Sequence, residues 1–276
     1  MYSDTGTDGV DPAASDLAQA AQMALDEVPF RRATSVFAAY DEVLAWGTES
    51  CPTIDSSGVA QYWTASCTTA QGAWFNGFAH DYQFEDTALA DGSLITGRAI
   101  RAVAEVTTPE SGIQAGGVAS EVATLSNSGG YVAYVSSVAG DFRYDGALDL
   151  DEWITSDQGA DLEQTYVWYV GASGGPVATL TGSIDIPGEF THVAFDGFTM
   201  AGVQLAPDCQ EPGGWLAVRR SDGRWFDIGF DGPSVPGEEV EPTLCYGCGS
   251  AWHNGVELGA ACVDAAALVS WSVSPW

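Results

Sequence analysis

The chain has 276 residues, 46% hydrophobic and 11% aromatic, enough to bury a sizeable core and too much for a disordered acidic tail. It carries 38 Asp and Glu against 8 basic residues, all arginine, for a formal net charge of −30. That balance excludes a nucleic-acid binder and a protein docked electrostatically on anionic lipid, and no apolar run reaches the roughly 18 residues that span a bilayer as a helix.

Residues 1–10 are rich in Ser, Thr, Gly and Asp and read as a flexible acidic tether. The simplest account is a mature chain whose signal was removed; a lipid anchor on the precursor would sit just before this tether. Residues 11–47 form the expected helical segment. Leu17, Ala20, Ala21, Ala24, Leu25 and Val28 recur at helical spacing until Pro29 ends the run, and Val36, Phe37, Tyr40, Val43 and Leu44 mark a second helix over 32–46.

From residue 48 to 276 the pattern is that of a β domain. Runs at 60–67, 73–84, 93–106, 118–125, 131–144, 165–170, 177–186, 192–200, 215–220, 224–230 and 250–254 lie between Gly, Asn, Asp and Pro signals. The clearest hairpin joins Trp215–Arg220 to Arg224–Phe230 through Ser221-Asp222-Gly223. The fold class is therefore mainly β: a large antiparallel meander, as a barrel or sandwich, with a β-solenoid as the alternative, behind a short N-terminal helical segment.

Six cysteines in two clusters suit disulfides in an oxidising compartment. Cys51 and Cys67 bracket a short hairpin-like stretch and pair. The remaining four pair as Cys209–Cys245 and Cys248–Cys262, or with Cys245 and Cys248 exchanged. A rival reading takes Cys245-x-x-Cys248 as half of a zinc site completed by Cys209, Cys262 and His253, at spacings that match no familiar finger.

Three further features carry chemistry. Gly171-Ala172-Ser173-Gly174-Gly175-Pro176 satisfies Gly-x-Ser-x-Gly and is similar to the serine signature of trypsin-like proteases, with Ser173 as nucleophile. Ala172 replaces that family's Asp, and His80 and Asp86 lie too close together for its triad. A strand–elbow–helix hydrolase would instead need a helix after Ser173 and a later histidine, His192 or His253. The plain alternative is a glycine-rich turn between two strands.

The stretch from Asp141 to Glu152 resembles EF-hand and dockerin-type calcium loops, with Asp141, Asp145, Asp149 and Glu152 as ligands and Gly146 at the sharp turn. Arg143 stands where a third oxygen ligand belongs. Lastly, 10 Trp, 10 Tyr and 11 Phe supply either a sugar-stacking platform on a sheet face or, more commonly on alternating strands, core and cross-strand pairs.

Three stretches resemble uncharacterised secreted or lipoprotein-type proteins of myxobacteria and related bacteria. They are Cys51-Pro52, Trp63 and Cys67-Thr68-Thr69 with Gly72 and Gly77; Glu211-Pro212, Val218-Arg219 and Asp222-Gly223-Arg224-Trp225; and Cys248-Gly249, Trp252, Gly255, Gly259 and Cys262. The resemblance implies an extracellular or outer-surface protein and no particular reaction. The expectation is an exported, non-catalytic surface or binding protein of a salt-adapted bacterium. The alternatives are a secreted serine hydrolase using Ser173, and a self-assembling matrix or fibre component, calcium-assisted through the carboxylate loop.

Overall fold

The computed structural model describes residues 9–28, 31–88, 92–125, 132–155, 161–170, 177–201, 212–232 and 247–269. Its helices are α1 (Ala14–Glu27), α2 (Ala33–Leu44) and the single turn α3 (Glu152–Thr155). Its strands are β1 (Asp55–Ser57), β2 (Ala60–Thr68), β3 (Trp74–Ala88), β4 (Leu94–Thr107), β5 (Gly112–Leu125), β6 (Val132–Asp145), β7 (Asp161–Val170), β8 (Val177–Asp185), β9 (Phe190–Ala201), β10 (Pro212–Arg220), β11 (Trp225–Asp231), β12 (Cys248–His253) and β13 (Val256–Cys262). The strands follow one another across a single antiparallel sheet in chain order. The meander is thus the one the sequence predicts. Among the described residues it is not closed, since β13 does not pair back to β1, so it is not the barrel the sequence allowed.

The chain divides into two compact units, Pro29–Glu163 and Met1–Val28 with Gln164–Trp276. The helices expected as one segment over 11–47 therefore belong to different units, α2 to the first and α1 to the second. Each covers one face of its own strands.

In the first unit α2 packs on β4, β5 and β6. Val36, Tyr40 and Val43 recur at helical spacing and are fully or nearly fully buried. Burying each is worth roughly 1.5–3 kcal/mol. The sheet beneath them is built of small side chains. Gly77, Ala104 and Ala115 lie side by side across β3, β4 and β5, and the next row is Ala79, Ala102, Gly117 and Gly140. Such a floor lets a helix backbone come close. Trp63 and Phe75 fill the space beside it, their rings edge to face at 5.9 Å, and Trp63 Nε1 donates to Tyr40 Oη at 2.9 Å. Arg31, 3% exposed, donates to the carbonyls of Gly140 and Leu162 and lies over the Trp153 ring.

The expected Cys51–Cys67 disulfide is present and ties the chain after α2 to β2. Cys248–Cys262 is also present, between residues directly opposite each other on β12 and β13. Cys248 is therefore not available as a zinc ligand. Cys209 and Cys245 lie outside the described residues.

In the second unit α1 packs on β9, β10 and β13 through Leu17, Ala20, Ala21, Ala24 and Leu25. Its start is fixed by Asp16, whose carboxylate accepts the Ala13 N–H at 3.2 Å, so an anion sits in the helix's first turn. The strands present Val193, Phe195, Leu216, Val218, Phe226 and Ile228 to this inner side, all at most 2% exposed. The predicted β10–β11 hairpin forms. Gly223 takes φ of +91°, a conformation costly for any residue with a Cβ, and its N–H donates to the Arg220 carbonyl.

A candidate functional site on the open face of the second unit

Alternation along β9 to β12 sends one set of side chains to α1 and the other to the opposite, open face. On β10 the inner set is Leu216 and Val218, and the outer set is Trp215, Ala217 and Arg219. Register then places their neighbours. Arg219 stands between His192 of β9 and Trp225 of β11, and Asp185 of β8 lies beyond His192. Ala217 stands between Ala194 and Asp227, with Trp252 of β12 beyond. Trp215 stands between Asp196 and Gly229. Three tryptophans from three adjacent strands thus share one face. Strands are about 4.8 Å apart and same-face residues about 6.7 Å apart along a strand, so the three span a patch on the scale of a short oligomer.

The centre of the patch is covered and its rim is exposed. Ala194 and Ala217 are 2% and 6% exposed, whereas Trp215 is 52% exposed. The Trp215 ring lies against the backbone of Gly229, where an added Cβ would sit 2.9 Å from the ring. Only glycine leaves room for an indole lying flat there. Across the patch the His192 and Trp225 rings meet edge to face at 5.7 Å, and the Arg219 guanidinium lies 5.8 Å from the Trp225 ring. Arg219 makes no ion pair among the described residues. His192 Nδ1 is 2.6 Å from Asp185 Oδ1.

The hairpin carrying Arg219 and Trp225 is held from behind. Arg224, 4% exposed on its side chain, donates from Nε and Nη2 to Asp222 Oδ2, from Nη1 to Asp11 Oδ1 at 3.0 Å, and to the carbonyls of Gly9 and Val10. The Arg224 guanidinium holds the Asp222 carboxyl below the usual carboxylate range. His253 Nδ1 is 2.8 Å from Asp11, and its ring lies tilted against Phe226 with centroids 4.7 Å apart. Arg220 pairs with Glu189. These contacts fix the entry to α1 and the end of the hairpin together, so the open face is a preformed surface.

The residues singled out in the sequence fall elsewhere. Ser173 lies outside the described residues. It is flanked by β7 and β8, where a hydrolase elbow would be followed by a helix. His192 has a carboxylate partner, but Asp185 is 89% exposed on its side chain, a poor match to the buried carboxylate that orients a triad histidine. His80 lies on β3 beside Tyr82, and Asp86 takes φ of +43° at a bulge farther along the same strand. In the calcium-like loop, Asp141 to Asp145 is the end of β6, paired with β5 as far as Gly112. The extended strand spreads those residues over about 13 Å, where a calcium loop would curl them around one point. Arg143 Nε is 3.3 Å from Asp141. Asp149 is exposed and Glu152 opens α3. Among the described residues no three His, Cys, Asp or Glu side chains gather as a metal site.

Just over half of the described aromatic side chains are buried, and the rest lie at or near the surface. The outward Trp215 was legible in one detail: on β10 it shares parity with Arg219, and on β11 Trp225 shares parity with Asp227. An indole in the polar phase of a strand is the signal of a surface role.

Comparison with protein-family models, with curated proteins and with solved structures finds no match to this chain.

Proposed function

We propose that the protein is an exported, non-catalytic glycan-binding protein, and that the tryptophan face of β9 to β12 takes a neutral polysaccharide. The observation that carries this is Trp215. A large apolar ring is held flat and half exposed in the polar phase of a strand, next to two further tryptophans, on a face its own helix does not cover. Indole faces stack on the C–H faces of sugar rings, and the flanking groups supply the polar part of recognition. Asp185 and Asp196 accept hydrogen bonds from hydroxyls, and Arg219 donates.

Charge selects among occupants. Asp185, Asp196, Asp227 and Glu257 outnumber Arg219 on this face, so a polyanion is repelled and a hydroxyl-rich neutral chain is not. A second copy of the chain brings the same net charge of −30 and is repelled as well. Two disulfides support an oxidising, extracellular location, as does the resemblance to secreted and lipoprotein-type bacterial proteins.

The test is affinity gel electrophoresis in soluble β-glucan, xylan and mannan, with tryptophan fluorescence titration of any that retard the protein. At least one retards the wild type, and Trp215→Ala weakens that binding about tenfold or more with the melting temperature unchanged. Retardation of Trp215→Ala equal to wild type, or no retardation by any neutral glycan, overturns the proposal.

A further inference from the structure

The first unit has its own open face, opposite α2, and its chemistry differs. On β3 the outward side chains are Phe78, His80, Tyr82 and Phe84, whose rings follow one another at 5.8, 6.2 and 6.4 Å, with Tyr82 and Phe84 stacked within 7° of parallel. Tyr62 of β2 stands opposite His80, ring to ring at 5.9 Å. On the other side of His80, register places Arg101 of β4, and beyond it Val118 of β5. Val103 is 56% exposed and Val118 41%, so the surface around Arg101 is apolar and open to solvent.

Arg101 is the unusual member. Carboxylates outnumber arginines 38 to 8 in this chain, and the other first-unit arginines are engaged. Arg98 binds Asp41 and Asp81, Arg143 binds Asp141, Arg31 binds two carbonyls, and Arg32 faces Glu121. Arg101 is exposed and, among the described residues, makes no ion pair, hydrogen bond or ring contact. The outward carboxylate on its own strand, Glu105, is four residues away, about 13 Å in an extended chain. In a protein so acidic, an arginine set among rings and valines with no carboxylate beside it is a cation kept for an anion from outside.

We propose that this face binds an acidic polysaccharide, with Arg101 pairing the carboxylate of a uronate residue and the β3 ring ladder stacking on the sugars. The planar guanidinium matches a carboxylate bidentately, and an apolar surround strengthens that pair by removing water from it. Polysaccharide is preferred over a protein partner, a second copy included, because the ladder is a line of single rings flanking one guanidinium rather than a broad apolar patch. The site is independent of the tryptophan face, which carries carboxylates where this one carries a cation.

The same net charge gives the binding an uncommon salt dependence. At long range the protein repels a polyuronate; in contact, Arg101 attracts it. Screening acts over about 30 Å at 0.01 M salt and about 8 Å at 0.15 M, so added salt removes the repulsion before it weakens the pair. Binding therefore tightens as salt rises between those values.

The experiment is calorimetric titration of the full chain with polygalacturonate oligosaccharides, with EDTA present throughout so that no divalent cation bridges the two polyanions. The wild type binds; carboxyl-reduced oligosaccharides bind at least tenfold more weakly. Arg101→Ala and the longer Arg101→Gln each lose about tenfold or more, with the melting temperature unchanged, and Trp215→Ala binds as wild type. The proposal is overturned by no binding of the acid oligosaccharide, by equal binding of the reduced one, by wild-type binding in either Arg101 variant, or by binding that weakens steadily from 0.01 M salt. Because the neutral-glycan site is read out by Trp215→Ala alone, either reading can fail without the other.

Discussion

Replacing Arg98 by methionine tests how the first unit is held together. Arg98 Nε and Nη2 donate to the two oxygens of Asp81 at 2.9 and 2.8 Å, and Nη1 and Nη2 donate to Asp41 at 2.7 and 2.6 Å. The guanidinium also lies 5.1 Å from the Phe37 ring. The two carboxylates are not equivalent: the Asp81 side chain is 4% exposed, that of Asp41 56%. Without Arg98, Asp81 keeps only the Gln83 amide at 3.1 Å and becomes a buried, uncompensated charge. Breaking a buried pair from one side costs about 3–5 kcal/mol, whereas an exposed arm is worth at most about 1 kcal/mol. Arg98→Met is therefore expected to cost about 3 kcal/mol and Asp41→Asn under about 1 kcal/mol. The double variant Asp81→Leu with Arg98→Met removes both charges and recovers most of the loss. Urea unfolding followed by tryptophan fluorescence, with the m-value checked for constancy, reads all three. Equal costs for Arg98→Met and Asp41→Asn would refute the reasoning, because it rests on Asp81 being dry and Asp41 wet.

Two other outcomes follow from buried groups. Tyr40 is 4% exposed, and burial pushes its phenol up to about 12, against the usual value near 10. The folded state thus favours the neutral ring, and its contribution is whole below pH 10 and lost as pH rises toward 12. Tyr40→Phe has a shallower alkaline stability limb than wild type, and at pH 7 it is less stable by about 1–3 kcal/mol, since Trp63 Nε1 loses its acceptor. Parallel alkaline limbs would contradict this. For the cysteines, denatured and unreduced protein shows at most two reactive thiols, because Cys51–Cys67 and Cys248–Cys262 are closed; none at all would pair Cys209 with Cys245, and six would overturn the disulfide framework. Replacing Cys51 and Cys67 together by serine opens a loop with a sequence separation of 16 and lowers stability by about 3 kcal/mol in the chain-entropy account.

The elements that could be read from the sequence are those with a period. The second helix lies within two residues of its expected ends and the first stops before Pro29 as expected, because Leu17 to Leu25 and Val36 to Val43 keep one apolar stripe. The hairpin at Asp222-Gly223 is found because its turn chemistry is local. Two strands were not expected. β1 is three polar residues, Asp55-Ser56-Ser57, with no apolar phase to detect, and β13 reads Val-Glu-Leu-Gly-Ala-Ala-Cys, mostly small residues that prefer no state. The first half of β5, Gly112 to Gly117, escaped for the same reason: its Gly and Ala residues are chosen for the helix above them, not for strand propensity. The division of the two helices between units is also invisible, since nothing local tells α1 to pack on strands more than 150 residues away. Both open faces depend on register across four or five strands, and register is the property a single sequence states least directly.

An open sheet with aromatic faces raises the question of what in the chain opposes self-association. Edge strands with unpaired N–H and C=O groups, and apolar surface beside them, are the usual route to edge-to-edge pairing. Here the terminal strands of the sheet are β1 and β13. β1 is too short and too polar to template a partner, and β13 carries Glu257 and closes on β12 through Cys248–Cys262. The wider protection is the charge itself. At −30, two copies repel at any distance within a Debye length, yet a neutral glycan feels none of that field. A field of that sign therefore opposes association through the exposed aromatic faces. On the first unit's open face Arg101 is a local exception to that field, since it makes no ion pair among the described residues.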